Sequence, residues 1–289
     1  MATEHDLNLL LSALFNKPYE TYKYSHLSGG CINTVYLADG GGNKYVVKVN
    51  DLDKEDMFRA EAAGVKELGK ANAVKVPEII AWGTHGSFSY ILMEYVVPGV
   101  PNKDYWENLG RCLAKQHQVH GDFYGFLKDN YIGSLHQENE VSDDWFSFFI
   151  NKRLQPQVRL ALANGKLNGK DADKFSKLYT RLPSLLVKDK PALLHGDLWS
   201  GNVVTADSGY AALIDPAVYY GHREIELAFT KLFGGFGPGF YAAYQETNPV
   251  EYGFEGRSDI YNLYPLLVHV NLFGGSYINS VRSILNRFV

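Results

Sequence analysis

The stretch Ala192–Pro216, ALLHGDLWSGNVVTADSGYAALIDP, constrains this chain more than any other. It sets three polar side chains, Asp197, Asn202 and Asp215, among short apolar runs: Leu193-Leu194, Val203-Val204, and Ala211 to Ile214 leading into the last carboxylate. The pattern reads as a loop followed by a small hairpin, a rigid support for three oxygen-bearing groups. Taken singly the fragments are ordinary, since Asp after Gly and Asp closing a strand are both common turn residues. In this order they suit phosphoryl transfer, with Asp197 orienting a hydroxyl while Asn202 and Asp215 ligate Mg²⁺, a hard ion that prefers oxygen. That reading requires phosphate-binding parts elsewhere in the chain.

They are found upstream. Leu7, Leu10, Leu11 and Leu14 recur at helical spacing before Pro18. From Thr21 the pattern turns to strands: Tyr22 to Leu27, a break at Ser28–Gly30, Ile32 to Ala38, the turn DGGGN, then Lys44 to Val49. Gly29 and Gly30 let backbone N–H groups approach phosphate with no side chain in the way. Lys48 sits between valines in VVKV, held to meet α- and β-phosphates. Glu61, on a helical pattern from Asp53 to Ala71, can pair with that Lys and fix its geometry. Each also has a plain structural reading, as an edge-strand Lys, an ordinary turn and a surface Glu. Two further strands, Val76 to Gly83 and Ser87 to Val96, run into the Pro/Gly-rich connector Val96–Pro101. The backbone of Glu94 to Val96 would there face an adenine edge. The five-residue step from Asp197 to Asn202 is that of the kinase catalytic loop. The whole order predicts an α+β, two-lobed, protein-kinase-like fold: an antiparallel-sheet lobe over residues 1–95, a hinge at 96–101, and a mostly helical lobe over 102–289.

Composition narrows the classes. At 289 residues, 46% hydrophobic and 21% charged, the chain is long enough for two lobes and too rich in apolar residues for disorder. A formal net charge of −4 and no Lys/Arg run argue against a nucleic-acid partner. No apolar run predicts a membrane span, and the acidic N-terminus lacks the pattern of a signal peptide. Two cysteines, Cys31 and Cys112, exclude a disulfide scaffold, and a reducing cytoplasm is the expected compartment. His117 shares a helical face with Leu109, Cys112 and Leu113 and reads as packing; with His120 it lacks the partners of a zinc site. The aromatic stripe Trp145, Phe148 and Phe149 reads as core.

Within the central stretch, Trp199 stands two positions after Asp197, where kinases acting on protein Ser/Thr carry a Lys. A flat indole suits a sugar ring or alkylamine, and Pro216 leads quickly into the next helix with no activation loop between. Both favour a small-molecule acceptor.

HGDLWSGN at His195–Asn202 and IDPAVYYGHREIELAFTKLFGGF at Ile214–Phe236 resemble the fructosamine kinase (ketosamine-3-kinase) family, within the aminoglycoside-phosphotransferase-like kinases. SGGCINTVY, YVVKVN, FRAEAAGVKEL, MEYV and WFSFFINKRLQPQ extend the resemblance over nearly the whole chain. It implies ATP- and Mg²⁺-dependent phosphorylation of the 3-hydroxyl of a ketosamine, whose unstable 3-phosphate breaks down and frees the amine. By position it makes Asp197 the catalytic base, Asn202 and Asp215 metal ligands, and Lys48 with Glu61 the phosphate clamp. Trp199, His222, Arg223 and Glu224 become substrate-side candidates. Cys31 falls where the family can carry a redox-sensitive thiol, implying a homodimer under oxidation; read alone it is a small turn-adjacent residue. Two other readings stand beside this one, an aminoglycoside- or choline-type phosphotransferase and a non-catalytic kinase-like binding protein. The complete set of Lys48, Asp197, Asn202 and Asp215 weighs against the latter.

Overall fold

The structure, a computed structural model, describes residues 2–16, 22–27 and 32–289. The expected phosphate-loop residues Gly29, Gly30 and Cys31 lie outside the described residues. Two compact units emerge from the contacts, the first comprising Met1–Tyr105 and Gly201–Pro216, the second Trp106–Ser200 and Ala217–Val289. This differs from the expected boundaries, because the hairpin after the HGD loop belongs with the amino-terminal unit. Its chain neighbours explain the difference: Gly99 N–H donates to the Thr205 carbonyl at 3.0 Å, Asn102 N–H to Gly209 at 2.9 Å, and Leu213 N–H to Lys75 at 2.8 Å. The connector is thereby stitched to the hairpin.

The first unit opens with helix α1 (Glu4–Phe15). Its N-terminus is closed by a reciprocal Thr3–Asp6 capping box, and it ends at Asn16 in the left-handed region. Strands β1 (Lys23–His26), β2 (Thr34–Gly40) and β3 (Asn43–Asp51) follow as an antiparallel meander, then α2 (Glu55–Ala71), β4 (Ile79–His85) and β5 (Phe88–Glu94). The sheet order is β1-β2-β3-β5-β4, so β3 and β5 are interior. Period-two alternation sorts β3 by face. Val47 and Val49 pack with Leu7, Leu10 and Leu11 of α1, whereas Val46 packs with Phe58 and Ala62 of α2. Lys48, two positions on from Val46, therefore shares the α2 face.

The second unit contains α3 (Tyr105–Gln116), whose first residue belongs to unit one, a small hairpin of β6 (Asn130–Ile132) and β7 (Leu135–Gln137), and α4 (Trp145–Phe148). A π-helical turn at Phe149–Leu154 joins α4 to α5 (Gln155–Ala163), and α6 (Gly169–Leu185) and β8 (Ala192–Leu194) follow. The π turn buries Arg153 completely, 3.9 Å from the Tyr219 ring centroid. Its guanidinium donates to the Glu138 carbonyl at 2.6 Å and Asn139 Oδ1 at 2.7 Å. After β9 (Val203–Thr205) and β10 (Ala211–Leu213), which pair in the first unit, come β11 (Tyr219–Gly221), α7 (Arg223–Leu232), α8 (Pro238–Thr247), α9 (Phe254–Phe273) and α10 (Tyr277–Phe288). β11 pairs antiparallel with β8, which leads into the HGD loop. The expected aromatic stripe is core: Trp145, Phe148 and Phe149 are buried. Among the described residues no helix is long and apolar enough to cross a membrane.

Candidate active site

In the first unit, Lys48 is 6% exposed, and its Nζ lies 2.6 Å from Glu61 Oε1 and 2.5 Å from Asp215 Oδ1. Burial alone would lower the ammonium's pKa; the carboxylates of Glu61 and Asp215 outweigh it and raise the pKa above the ordinary lysine value, so the cation is fixed. Asp215 follows β10 with φ +56°, a left-handed conformation that Asp adopts more readily than most residues. Ile214 N–H donates to the Asn202 carbonyl at 3.1 Å, tying together the two segments that carry Asn202 and Asp215. Asn202 is buried, whereas the Asp215 side chain is 44% exposed. Among the described residues no cluster of three or more His, Cys, Asp or Glu side chains could hold a metal by itself. An amide and a carboxylate still fit Mg²⁺, which commonly takes one or two protein oxygens and completes its shell with phosphates and water.

Glu94 closes β5, its N–H committed to the Glu78 carbonyl at 2.8 Å and its carboxylate to Lys75 Nζ at 2.8 Å. An adenine edge at this position would thus draw on backbone beyond that N–H, toward Val96.

In the second unit the HGD loop is held by a glutamate of α7 that no local sequence pattern singles out. Glu226, buried on α7, accepts the backbone N–H of Gly196 at 2.7 Å and of His195 at 3.2 Å. It also receives a hydrogen bond from His117 Nε2 at 2.9 Å, and His117 Nδ1 lies 2.8 Å from the Tyr244 hydroxyl. Burial pushes the Glu226 carboxyl upward, but the bond from His117, the nearby His117 and His195 and the Gly196 N–H hold it below the usual range. His117 is therefore a packing residue with a polar task.

Gly196 has φ +84°, and a Cβ there would lie 2.0 Å from the Ala217 carbonyl oxygen, so only glycine fits. His195 is buried, and its Nδ1 accepts the Asp197 N–H at 3.3 Å. Trp199 is 40% exposed, with its N–H on the Asp197 carbonyl at 3.2 Å. The GG of LFGGF packs against this loop: a Cβ on Gly235 would sit 2.5 Å from Ser200 Cβ.

Three substrate-side expectations are corrected. His222, Arg223 and Glu224 are all buried and bonded within the protein. His222 caps α7 through Nδ1, which accepts the Glu224 N–H at 3.2 Å. Arg223 is spent on Asp189 at 2.7 Å and on the Asn248 and Pro249 carbonyls. Glu224 forms a bidentate pair with Arg257, at 2.7 and 2.5 Å. These groups seat the amino end of α7. Spacing alone could not separate them from Glu226, two residues on.

The five-stranded antiparallel sheet carrying a Lys–Glu pair, the HGD loop and the Asn202/Asp215 hairpin define a kinase-like phosphotransferase fold. The sequence profile described as "Fructosamine kinase" matches residues 4–289. A Synechocystis protein named "Probable ketoamine kinase" is 38% identical, covering 96% of this chain and 94% of that one. A rice (Oryza sativa subsp. japonica) protein named "Protein-ribulosamine 3-kinase, chloroplastic" is also 38% identical, covering 92% of this chain and 78% of its own length. The crystal structure of a candidate fructosamine-3-kinase from Haemophilus somnus 129PT superposes with a TM-score of 0.90 at 29% identity, covering 99% of this chain and 97% of that one. The chain belongs to the fructosamine kinase family.

Proposed function

We propose that the protein is an ATP-dependent ketosamine kinase that phosphorylates the 3-hydroxyl of a fructosamine- or ribulosamine-type acceptor, and so leads to release of the amine. The family supports an enzyme with an alcohol acceptor, and the aminoglycoside- or choline-type alternative is not favoured. The observation that carries the reading is the double ion pair of Lys48 with Glu61 and Asp215, in one unit with Asn202. It is a preformed, desolvated cation beside two oxygen donors, which is what a transferring polyphosphate requires.

In this reading Lys48 holds the α- and β-phosphates while Glu61 keeps its ammonium in place. Asn202 and Asp215 hold Mg²⁺, which when bound neutralises charge on the phosphates. Asp197 orients the acceptor hydroxyl and takes its proton. Trp199, partly exposed on the same loop, offers its indole face to the sugar. Phosphoryl transfer needs positioning more than covalent help, so the rigidity that Glu226 and Gly196 give the loop serves the chemistry directly. Backbone from the Glu94 carbonyl to Val96 meets the adenine edge. The acceptor is a small ketosamine or a glycated amine, and the expected compartment is the cytoplasm.

The test is ATP consumption against a panel of fructosamines, ribulosamines and erythrulosamines, with Asp197→Ala as control. The variant is expected to lose turnover by several orders of magnitude while nucleotide affinity stays near wild type. Near-wild-type turnover by Asp197→Ala would sink the assignment of the base, and consumption with aminoglycosides only would favour the alternative.

A further inference from the structure

Glu226 is not the only group that holds the HGD loop. Ala217 is bound to it through both of its backbone groups. The Ala217 N–H donates to the His195 carbonyl at 2.9 Å. Its carbonyl lies against Gly196, where a Cβ would stand 2.0 Å from the oxygen, and accepts Gln137 Nε2 at 3.1 Å. A shift of Ala217 is therefore passed directly to the two residues before Asp197.

Gln137 closes β7 opposite Asn130 of β6, so the two amides share one face of the hairpin. Its Nε2 also donates to Asn130 Oδ1 at 2.7 Å, and its Oε1 accepts the Tyr264 hydroxyl of α9 at 2.6 Å. Asn130 Nδ2 donates to the Val218 carbonyl at 2.8 Å, and its Oδ1 takes a second donor, Asn139 Nδ2, at 2.9 Å. Asn139 Oδ1 in turn accepts from Arg153 Nη2 at 2.7 Å. Every one of these side chains is buried. The direction of the chain cannot reverse. A guanidinium carries donors only and the Ala217 and Val218 carbonyls accept only, so each amide between them has one permitted orientation. A buried polar network satisfied in this way specifies a single arrangement and is costly to leave half-made.

Resting on the assignment of Asp197 above, we propose that Gln137 is a positioning residue for phosphoryl transfer: with its amide fixed by Tyr264 and Asn130, it holds the Ala217 carbonyl and so sets where the HGD loop presents Asp197 to the acceptor hydroxyl. It acts through Ala217 and not on the substrate. The groups assigned to nucleotide and metal, Lys48, Glu61, Asn202 and Asp215, belong to the first unit, whereas Gln137, Ala217 and Asp197 belong to the second. Loss of Gln137 is therefore felt in turnover and not in nucleotide affinity.

The test compares wild type with Gln137→Met, Tyr264→Phe and a control, Asn271→Leu, as purified full-length chains assayed at a temperature where thermal melting shows each to be folded. Gln137→Met keeps the length of the side chain and removes every bond of the amide, whereas Tyr264→Phe removes only the bond to Oε1. Asn271→Leu removes another buried amide of α9, whose bonds run to the Gln157 carbonyl at 3.0 Å and Gln157 Oε1 at 2.8 Å of α5. With a fructosamine as acceptor, Gln137→Met is expected to lower kcat by about 10–100-fold, the scale of a small misplacement of reacting groups. Its KM for the fructosamine and its ATP affinity should stay within about threefold of wild type. Tyr264→Phe should fall between the two, and Asn271→Leu should lose melting temperature and keep its kcat. Wild-type kcat in Gln137→Met, a loss of ATP affinity in place of kcat, or an equal loss of kcat in Asn271→Leu would overturn the proposal. Should Gln137→Met fail to fold, wild-type kcat in Tyr264→Phe overturns it as well. Wild type that binds ATP yet phosphorylates no ketosamine removes the functional reading, and this proposal with it.

Discussion

Asp215 Oδ1 stands 2.5 Å from Lys48 Nζ, so the carboxylate read as a metal ligand is paired with the cation read as the phosphate clamp. In the proposed reading Lys48 would hold polyphosphate and Asp215 would hold the metal, so this pair would open when both are bound. Lys48 Nζ also lies 2.6 Å from Glu61 Oε1. The two variants separate accordingly. Lys48→Met leaves the mostly buried Glu61 without its counter-charge and is expected to lower both the melting temperature and kcat/KM, the latter by roughly 10²–10³-fold. Asp215→Asn keeps the Lys48–Glu61 pair, so its melting temperature should stay near wild type while turnover collapses. Calorimetry and steady-state kinetics on the two variants check this, and equal melting losses would contradict it.

The second prediction concerns Glu226, whose carboxylate holds the His195 and Gly196 N–H groups. Glu226→Ala leaves those donors and His117 buried without an acceptor, at a cost on the order of 3 kcal/mol. The effect on kcat should exceed what unfolding explains, because Gly196 adjoins Asp197. Glu226→Gln keeps one acceptor oxygen and should fall between. Chemical denaturation alongside kcat at a temperature where both variants are folded makes the comparison.

Gly196 and Gly235 carry the third. Gly196→Ala places a Cβ 2.0 Å from the Ala217 carbonyl at φ +84°, and backbone strain alone costs roughly 1–3 kcal/mol. Gly235→Ala meets a side chain, Ser200 Cβ at 2.5 Å, and is partly relieved in the double variant Gly235→Ala/Ser200→Gly. No such rescue is open to Gly196→Ala, since its obstacle is backbone. Melting temperatures of the three variants decide the matter.

These residues also mark where the sequence was legible. The Lys48–Glu61 pair was legible because strand alternation put Lys48 on the face that α2 covers. The antiparallel sheet and the apolar helices followed from turn residues and periodicity. What stayed hidden depended on contacts distant in sequence. Glu226 looks like Glu224 in a helical run, and only the fold sends one to the loop and the other to Arg257. Hairpin Gly201–Pro216 lies within the stretch Ala192–Pro216, yet its backbone partners are in the connector and at Lys75, which no local pattern reveals.

The last prediction is a pH dependence set by His222. Burial pushes this imidazole's pKa down to about 3; Asp189 pulls the other way, while Arg223 and Arg257 add to the drop. Its Nδ1 accepts the Glu224 N–H and would lose that bond on protonation. In the unfolded chain the same ring titrates near pH 6.5. The folded pKa is the lower one, so this contribution to stability is full above about pH 6.5 and is lost as pH falls toward about 3. Between those limits the unfolded state binds the extra proton, and stability declines by up to about 1.4 kcal/mol per pH unit. His269, also shifted down, adds the same sign, as does Glu226 below the ordinary carboxylate range. His222→Asn keeps a capping acceptor and cannot titrate. It is expected to be less stable at pH 7.5 but to show a shallower fall from pH 6.5 to pH 4.5 in urea denaturation. An unchanged slope in the variant would assign the acid sensitivity to other groups.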